Sequence, residues 1–355
     1  MSRLPENVRQ APEATLPDEG CVRMASILVV PGLLAEMGID PSAVIAEAGL
    51  DPALFDSPEN KIPFVDLGRF IELCVNRTGC PHLGLLIGET MGTAVLGLVG
   101  QLTASSTDIG SALNSLVRYL HLHDRAAVPS IWVSGRRVTL AYTIHEPDVP
   151  ATEQIYDAAM ANAFNILKAL AGAQWEPTEV QFSRPRPADI EPYRRFFRAR
   201  LCFDVDVNAV VFPASWLSCP VIGSDPRSRQ AIIQEVQQLL EDENKHLVVP
   251  LRRLLRELLI RCADEGKVSL DHVSQLLAVH RRTLNRRLHL EGTSFRTQLD
   301  EARYDIARQY LRDTRLSVLK IAISLGYASA TPFTRAFRRW SGTTPAAWRS
   351  THQRP

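Results

Sequence analysis

Ser317–Trp348 reads SVLKIAISLGYASATPFTRAFRRWSGTTPAAW, and this stretch decides the fold of the C-terminal part of the chain. Ser317 is a candidate N-cap, and Val318, Ile321, Ala322 and Leu325 follow at spacings of three and four, which puts them on one buried helical stripe. Gly326 stands where a helix ends on a left-handed residue, Tyr327 fills the turn, and Ser329 restarts a helix with Phe333, Ala336, Phe337 and Trp340 inward. Its outward face carries Thr331, Thr334, Arg335 and Arg338, with Arg339 beside them: hydroxyls and guanidiniums suited to base edges and phosphates. The spacing predicts a helix-turn-helix.

The same order occurs about 48 residues earlier, in Ser269–Phe295, SLDHVSQLLAVHRRTLNRRLHLEGTSF. Ser269 matches Ser317, Val273 matches Ile321 and Leu277 matches Leu325; after a one-residue offset Leu284, Arg286 and Leu288 match Phe333, Arg335 and Phe337. Between the two units Phe295, Leu299, Ala302, Ile306 and Tyr310 recur every three or four residues, which predicts one amphipathic helix over Ser294–Arg312. A helix of about 18 residues is roughly 27 Å long, against about 34 Å between successive major grooves.

The run IAISLGYASATPFTRAFRRWSGTTPAAWR, preceded by RRTLNRRLHLEGTSFRTQLDEARYDIARQYL, resembles the DNA-binding domain of the arabinose-regulator (AraC/XylS) family of bacterial transcription factors. The match spans about the last hundred residues and includes a closing Gly342-x-x-Pro345. The resemblance implies sequence-specific binding of double-stranded DNA, RNA polymerase as a partner and a homodimer. It also implies base reading by Arg282, Asn285, Arg286, Thr331, Thr334 and Arg335, and phosphate contacts from Arg281, Arg287, Arg338 and Arg339. Arginine suits guanine O6/N7 and asparagine suits adenine N6/N7, each with two hydrogen bonds. The sequence departs from the family at Ala278-Val279-His280, where a glycine-containing turn ending in a serine cap is usual; this predicts a tighter turn or a less well capped helix.

A chain of 355 residues suggests two or three domains. Net charge is +1, but from Pro250 onward 20 Lys+Arg stand against 9 Asp+Glu, a net of +11, while the remainder has 20 against 30, a net of −10. A basic end on an acidic body is the footprint of a protein that meets nucleic acid on one side. The expected division is a disordered tail over 1–21, an effector-binding and dimerisation domain over 22–224, a linker helix over 225–249 and the DNA-binding domain over 250–355. Arg252, Arg253 and Arg256, at the start of the last, suit either phosphate contacts or a solvated basic face. Six cysteines without paired short spacings read as reduced thiols in a cytoplasm. The apolar run Met24–Leu34 contains Pro31 and falls short of the roughly 20 residues a membrane span needs.

The acidic part reads as helices over Leu28–Met37, Pro41–Ala48, Phe64–Thr78, Pro81–Glu89 and from Ile109 to about His123. A hairpin of Ser130–Ser134 and Val138–Ile144 follows, then a long helix over Thr152–Ala171, short strands at Glu179–Phe182 and Val210–Phe212, and a helix through Ile190–Phe197 between them. The fold class is α+β followed by an all-α domain with two tandem helix-turn-helix units. Gly84, Gly88, Gly92, Gly97 and Gly100 fit no phosphate-binding motif and read as close packing. Two segments, VRMASILVVPGLLAEMGIDPSAVIAEAGLD and PTEVQFSRPRPADIEPYRRFFRARLCFDVDVNAVVFPASWL, resemble the effector and dimerisation region of a sub-branch of the same family that includes an ornithine-utilisation regulator. That resemblance implies a small-molecule effector.

Arg118, His121, His123 and Tyr142, on an adjacent helix and hairpin, are candidates for the polar groups of an effector pocket that takes a small apolar or amphipathic molecule. His121-x-His123 and Cys74…Cys80-x-His82 supply no four-ligand set at local spacing, so no metal or other cofactor is expected. Three function classes fit: a ligand-responsive transcription regulator, here an activator; an effector-independent, architectural DNA-binding protein whose N-terminal domain only dimerises; and an enzyme fused to a DNA-binding module. The absence of any catalytic motif argues against the last.

Overall fold

The structure, a computed structural model, describes residues 20–146, 148–243, 248–261, 268–276 and 280–352. The first part runs β1 (Cys21–Arg23), α1 (Val30–Glu36), α2 (Pro41–Glu47), β2 (Lys61–Pro63), α3 (Phe64–Thr78), α4 (Leu83–Glu89), α5 (Leu98–Ala104) and α6 (Ile109–Tyr119). It continues with β3 (Ala127–Ser134), β4 (Arg137–Ile144), α7 (Thr152–Ala171), β5 (Glu179–Gln181), α8 (Glu191–Phe197), β6 (Arg200–Cys202), β7 (Ala209–Pro213) and α9 (Pro226–Glu243). The expected 1–21 tail lies outside the described residues up to residue 19, whereas Cys21 at its end already pairs with Pro63.

Among the described residues β3-β4-β7-β5-β6 form one sheet, antiparallel except where β5 meets β6, and β1 pairs with β2 in a second. The hairpin is longer than its expected bounds because Pro129, which reads as a breaker, lies in β3 opposite Tyr142. β3 is an edge strand, where a missing N–H breaks no ladder. β1, β2 and β6 were not expected; at three residues each they are too short to show alternation.

Helix α7 crosses the sheet at the centre of this part, and α4 lies directly on its backbone. A Cβ at Gly84 would sit 2.0 Å from the Gln154 carbonyl oxygen, and one at Gly88 would sit 2.6 Å from that of Ala158. Gly84 and Gly88 therefore mark close helix approach, and a Cβ at Gly100 would meet the Thr93 carbonyl, whereas one at Gly92 would meet nothing within 4 Å. The same run includes α5, to which the sequence pattern assigns no element. Helix α9, expected as a polar linker, buries Ile232 and Val236, and its Arg229 donates to the Leu102 carbonyl at 2.7 Å and to Ser106 Oγ at 2.8 Å.

The second part is helical: α10 (Val248–Arg261), α11 (Leu270–Leu276), α12 (Arg281–Leu290), α13 (Phe295–Asp313), α14 (Val318–Ser324), α15 (Ala330–Ser341) and α16 (Pro345–His352). Leu251, Leu255 and Leu259 of α10, Leu284 and Leu288 of α12, Ile306 and Leu311 of α13, Ile321 of α14 and Phe333 and Phe337 of α15 share one core. Side chains fix the helix starts. Ser294 accepts from Thr297 N at 3.1 Å and Ser317 accepts from Lys320 N at 3.2 Å.

Candidate nucleic-acid interface and effector cavity

Each helix-turn-helix buries one stripe and exposes the other. In the second unit Gly326 takes φ +79° and ends α14, and the Tyr327 ring packs 5.6 Å from Phe333. Arg303 of α13 donates to the Leu325 carbonyl at 3.0 Å and lies 4.9 Å over the Tyr327 ring, so the connecting helix grips the turn itself. Ser329 takes the N-cap position with extended backbone, but its side chain makes no capping hydrogen bond. Thr331, Arg335, Arg338 and Arg339 are exposed and Thr334 is half-buried, all on the side away from Phe333 and Phe337.

In the first unit Arg281, Arg282, Asn285, Arg286 and Arg287 are exposed around buried Leu284 and Leu288. The unusual turn lies partly outside the described residues (277–279). Its last residue, His280, caps α12 with its ring, Nδ1 accepting from Arg282 N at 3.3 Å. An imidazole thus stands in for the missing serine.

Not every expected phosphate ligand is equally available. Arg339 is paired with Asp300 at 2.9 Å and lies 5.8 Å from the Trp340 ring, whereas Arg281 has only an exposed pair with Asp271 at 3.4 Å. Arg252 is held by Glu301 at 2.8 Å, and Arg256 is buried against Asp305 at 2.8 Å, which rules out the solvated basic face for Arg256.

A cavity of about 130 Å³ lies in the first part, walled by apolar side chains such as Phe64, Leu67, Leu116 and Met160. Its polar side chains are Ser26, His123, Asp124, Tyr142, Gln154 and Asn162. Of the four sequence candidates the structure brings two together there, His123 and Tyr142. Arg118 is exposed and stacks over Tyr119 at 5.3 Å, and buried His121 lies outside the cavity wall. Asp124, Gln154 and Asn162 were missed; polar residues within the otherwise apolar inner pattern of α7 were the available signal for the last two.

Tyr142 donates its hydroxyl to the Asp124 carboxylate, which also accepts from Ala126 N at 2.8 Å. Burial pushes the Asp124 carboxyl up to about 6 against the pull of those hydrogen bonds. Burial, with Arg23 nearby, pushes His123 down to about 3, so its imidazole is neutral. An unfolded aspartate titrates near 3.9. Between about pH 4 and 6 the folded chain therefore keeps a proton that the unfolded chain releases; stability falls as pH rises through that window and is level above it. Asp124→Asn, neutral throughout, is expected to gain on the order of 2 kcal/mol over the native chain on going from pH 4 to pH 8. Thermal melts across that range test this, and a pH-independent gap between the two proteins would remove the buried-carboxylate account.

The two parts touch. α10 packs on β3. Asp148 faces Arg308 at 3.5 Å and Arg312 at 3.4 Å, Asp204 faces Arg315 at 3.2 Å, and Asp206 faces Lys320 at 2.8 Å. Asp148 and Asp204 both hold positive φ, at 59° and 57°. Buried Tyr156 of α7 accepts from Ile144 N at 3.2 Å, sits beside Gln309 and Asp313 of α13, and packs edge-on to Tyr142 at 6.2 Å.

Comparison with known proteins agrees with this architecture. Residues 38–221 match the family described as the arabinose-binding N-terminal domain of the AraC transcription regulator, and residues 273–351 match a helix-turn-helix domain family. The chain is 28% identical over 319 residues to the ornithine utilization regulator of Pseudomonas aeruginosa, covering 89% of this chain and 93% of that one. It is 26% identical over 342 residues to the transcriptional regulator VirS of Mycobacterium tuberculosis, covering 93% and 96%. A solved structure of the regulator CdpR from Pseudomonas aeruginosa aligns over 87% of this chain and 96% of its own, at 24% identity and a TM-score of 0.43, too loose a likeness to transfer any residue's role. With an N-terminal match over more than half its length, an exposed pair of recognition helices and relatives that are regulators rather than enzymes, the chain belongs to the AraC family of DNA-binding transcriptional regulators.

Proposed function

We propose that this regulator is an activator governed by a small molecule bound in the cavity of its N-terminal domain, acting as a cytoplasmic homodimer that engages RNA polymerase. One observation carries the reading: two contacts join the cavity wall to the helix between the two recognition units, the Tyr142 ring against Tyr156 and Tyr156 against α13. A ligand that moves Tyr142 would act on the Tyr156–Gln309 contact and on the neighbouring Asp148, Asp204 and Asp206 pairs, which hold cations of the DNA-binding part. Release of such a hold suits activation. Arg282, Asn285, Arg286, Thr331, Thr334 and Arg335 then read bases, with Arg281, Arg287, Arg338 and Arg339 on phosphates. The dimer reading is supported by the edge strand β3, which exposes Trp132 and Val133.

The test is a thermal-shift screen of the full chain against small neutral, acidic and zwitterionic molecules, followed by a promoter-reporter assay. A stabilising compound is expected to raise transcription severalfold, and Tyr156→Phe is expected to keep the thermal shift while losing most of the response. If every stabilising compound leaves transcription unchanged, the effector-independent reading replaces this one. Sedimentation that shows a monomer would remove the dimer.

A further inference from the structure

The polar groups in the cavity wall limit which molecules it admits, an inference that rests on the cavity being the effector site. Most of them are already engaged. Gln154 accepts from Gly84 N at 2.8 Å and donates to the Pro81 carbonyl at 2.9 Å, and Ser26 donates to the Arg23 carbonyl at 2.9 Å. Tyr142 and Asp124 bond each other. Two atoms of the wall residues remain without a hydrogen-bond partner, Nδ1 of His123, a residue only 5% exposed, and Oδ1 of Asn162; both are closed off as they stand, so a ligand meets either one by turning its side chain toward the cavity. An amide oxygen only accepts, and Nδ1 of a neutral imidazole accepts in one of its two tautomers. Buried acceptors left unpaired are costly, so a ligand that donates to one of them gains where a purely apolar ligand does not.

Charge narrows the class further. No lysine or arginine is among the described residues of the cavity wall, His123 is neutral, and Asp124 contributes a carboxylate. A ligand carboxylate would be desolvated against a like charge, and Arg23, the cation beside His123, stands outside the wall and is already paired with Glu59. A zwitterionic amino acid meets the same obstacle. A ligand ammonium would have to lose its hydration beside a carboxylate whose oxygens already accept from Tyr142 and Ala126. Size sets the remaining bound: an apolar cavity of about 150 Å³ holds a benzene-sized molecule, and this one is about 130 Å³. We infer that the effector is a small uncharged alcohol or phenol, of roughly six to eight non-hydrogen atoms, whose hydroxyl donates to Asn162 or His123 and whose body fills the apolar wall.

Four probes of one shape test this on the full chain by calorimetry: benzyl alcohol, toluene, benzoate and benzylammonium. The expected result is that benzyl alcohol and toluene bind and the two ions do not. In Asn162→Leu or His123→Phe the ratio of the two dissociation constants should move about fivefold in favour of toluene, the worth of one net hydrogen bond. Retained toluene binding shows that the variant cavity is intact. Either ion binding within tenfold of benzyl alcohol overturns the uncharged class while the effector cavity itself stands. An unchanged ratio in both variants overturns the hydroxyl assignment. If not even toluene binds, the cavity is no ligand site and the effector reading falls with this one.

Discussion

Residues 250–355 on their own are expected to lose about a thousandfold in affinity for duplex DNA between 50 and 200 mM salt, and the full chain distinctly less. Neutralising about six phosphates gives a slope of log K against log salt of roughly −5 to −6. The separate part has its own core, and 20 Lys+Arg against 9 Asp+Glu to supply the cations. In the full chain Arg315 and Lys320, which flank the start of α14, face Asp204 and Asp206. The first helix of a helix-turn-helix crosses the DNA backbone, so these two cations are held away from where phosphate would lie. Replacing both aspartates by asparagine in the full chain should steepen the slope by about 1 to 2 and tighten binding severalfold at 0.1 M salt. Equal slopes for the full chain and the separate part would show that the aspartates screen nothing.

The second large effect separates the two recognition helices. Helix α12 offers three long hydrogen-bonding side chains, Arg282, Asn285 and Arg286, all exposed, whereas α15 offers Thr331, half-buried Thr334 and Arg335. The first unit should be the stricter reader. Arg286→Ala and Arg335→Ala are each expected to cost about 1–3 kcal/mol, roughly 5- to 150-fold, and to erase preference at different base pairs about one helical turn apart. Arg338→Ala should instead weaken all sequences alike. Helix α13 has 19 residues, about 28 Å at 1.5 Å each, so filling both grooves calls for bent DNA. Binding-site selection decides: if both arginine variants relax the same base pair, the two-groove arrangement is wrong.

The tandem units were legible because their signals are local. Ser317, Gly326 and the Phe333–Phe337 spacing each specify a cap, a turn or a stripe within a few residues, and the structure uses all three. The hairpin and α7 were legible for the same reason. What stayed hidden depends on partners distant in sequence. Nothing near Asp204 or Asp206 points to Arg315 or Lys320, more than a hundred residues on, and nothing near Asn162 shows that this residue ends in a cavity wall rather than in solvent. The histidine cap of α12 was hidden differently, since His280 occupies a position where serine is the ordinary cap and a ring nitrogen does the same work.

Helix α10 opens the DNA-binding part and lies on β3, the outer strand of the sheet. Any movement that lifts the DNA-binding part away also strips that strand of its cover, leaving a longer row of backbone donors and acceptors beside Trp132 and Val133. If two copies pair through this strand, as proposed above, the surface freed by opening is the pairing surface. Opening and pairing would then be linked by mass action, and a cell would set the threshold of the response by how many copies it makes as much as by how much effector it holds.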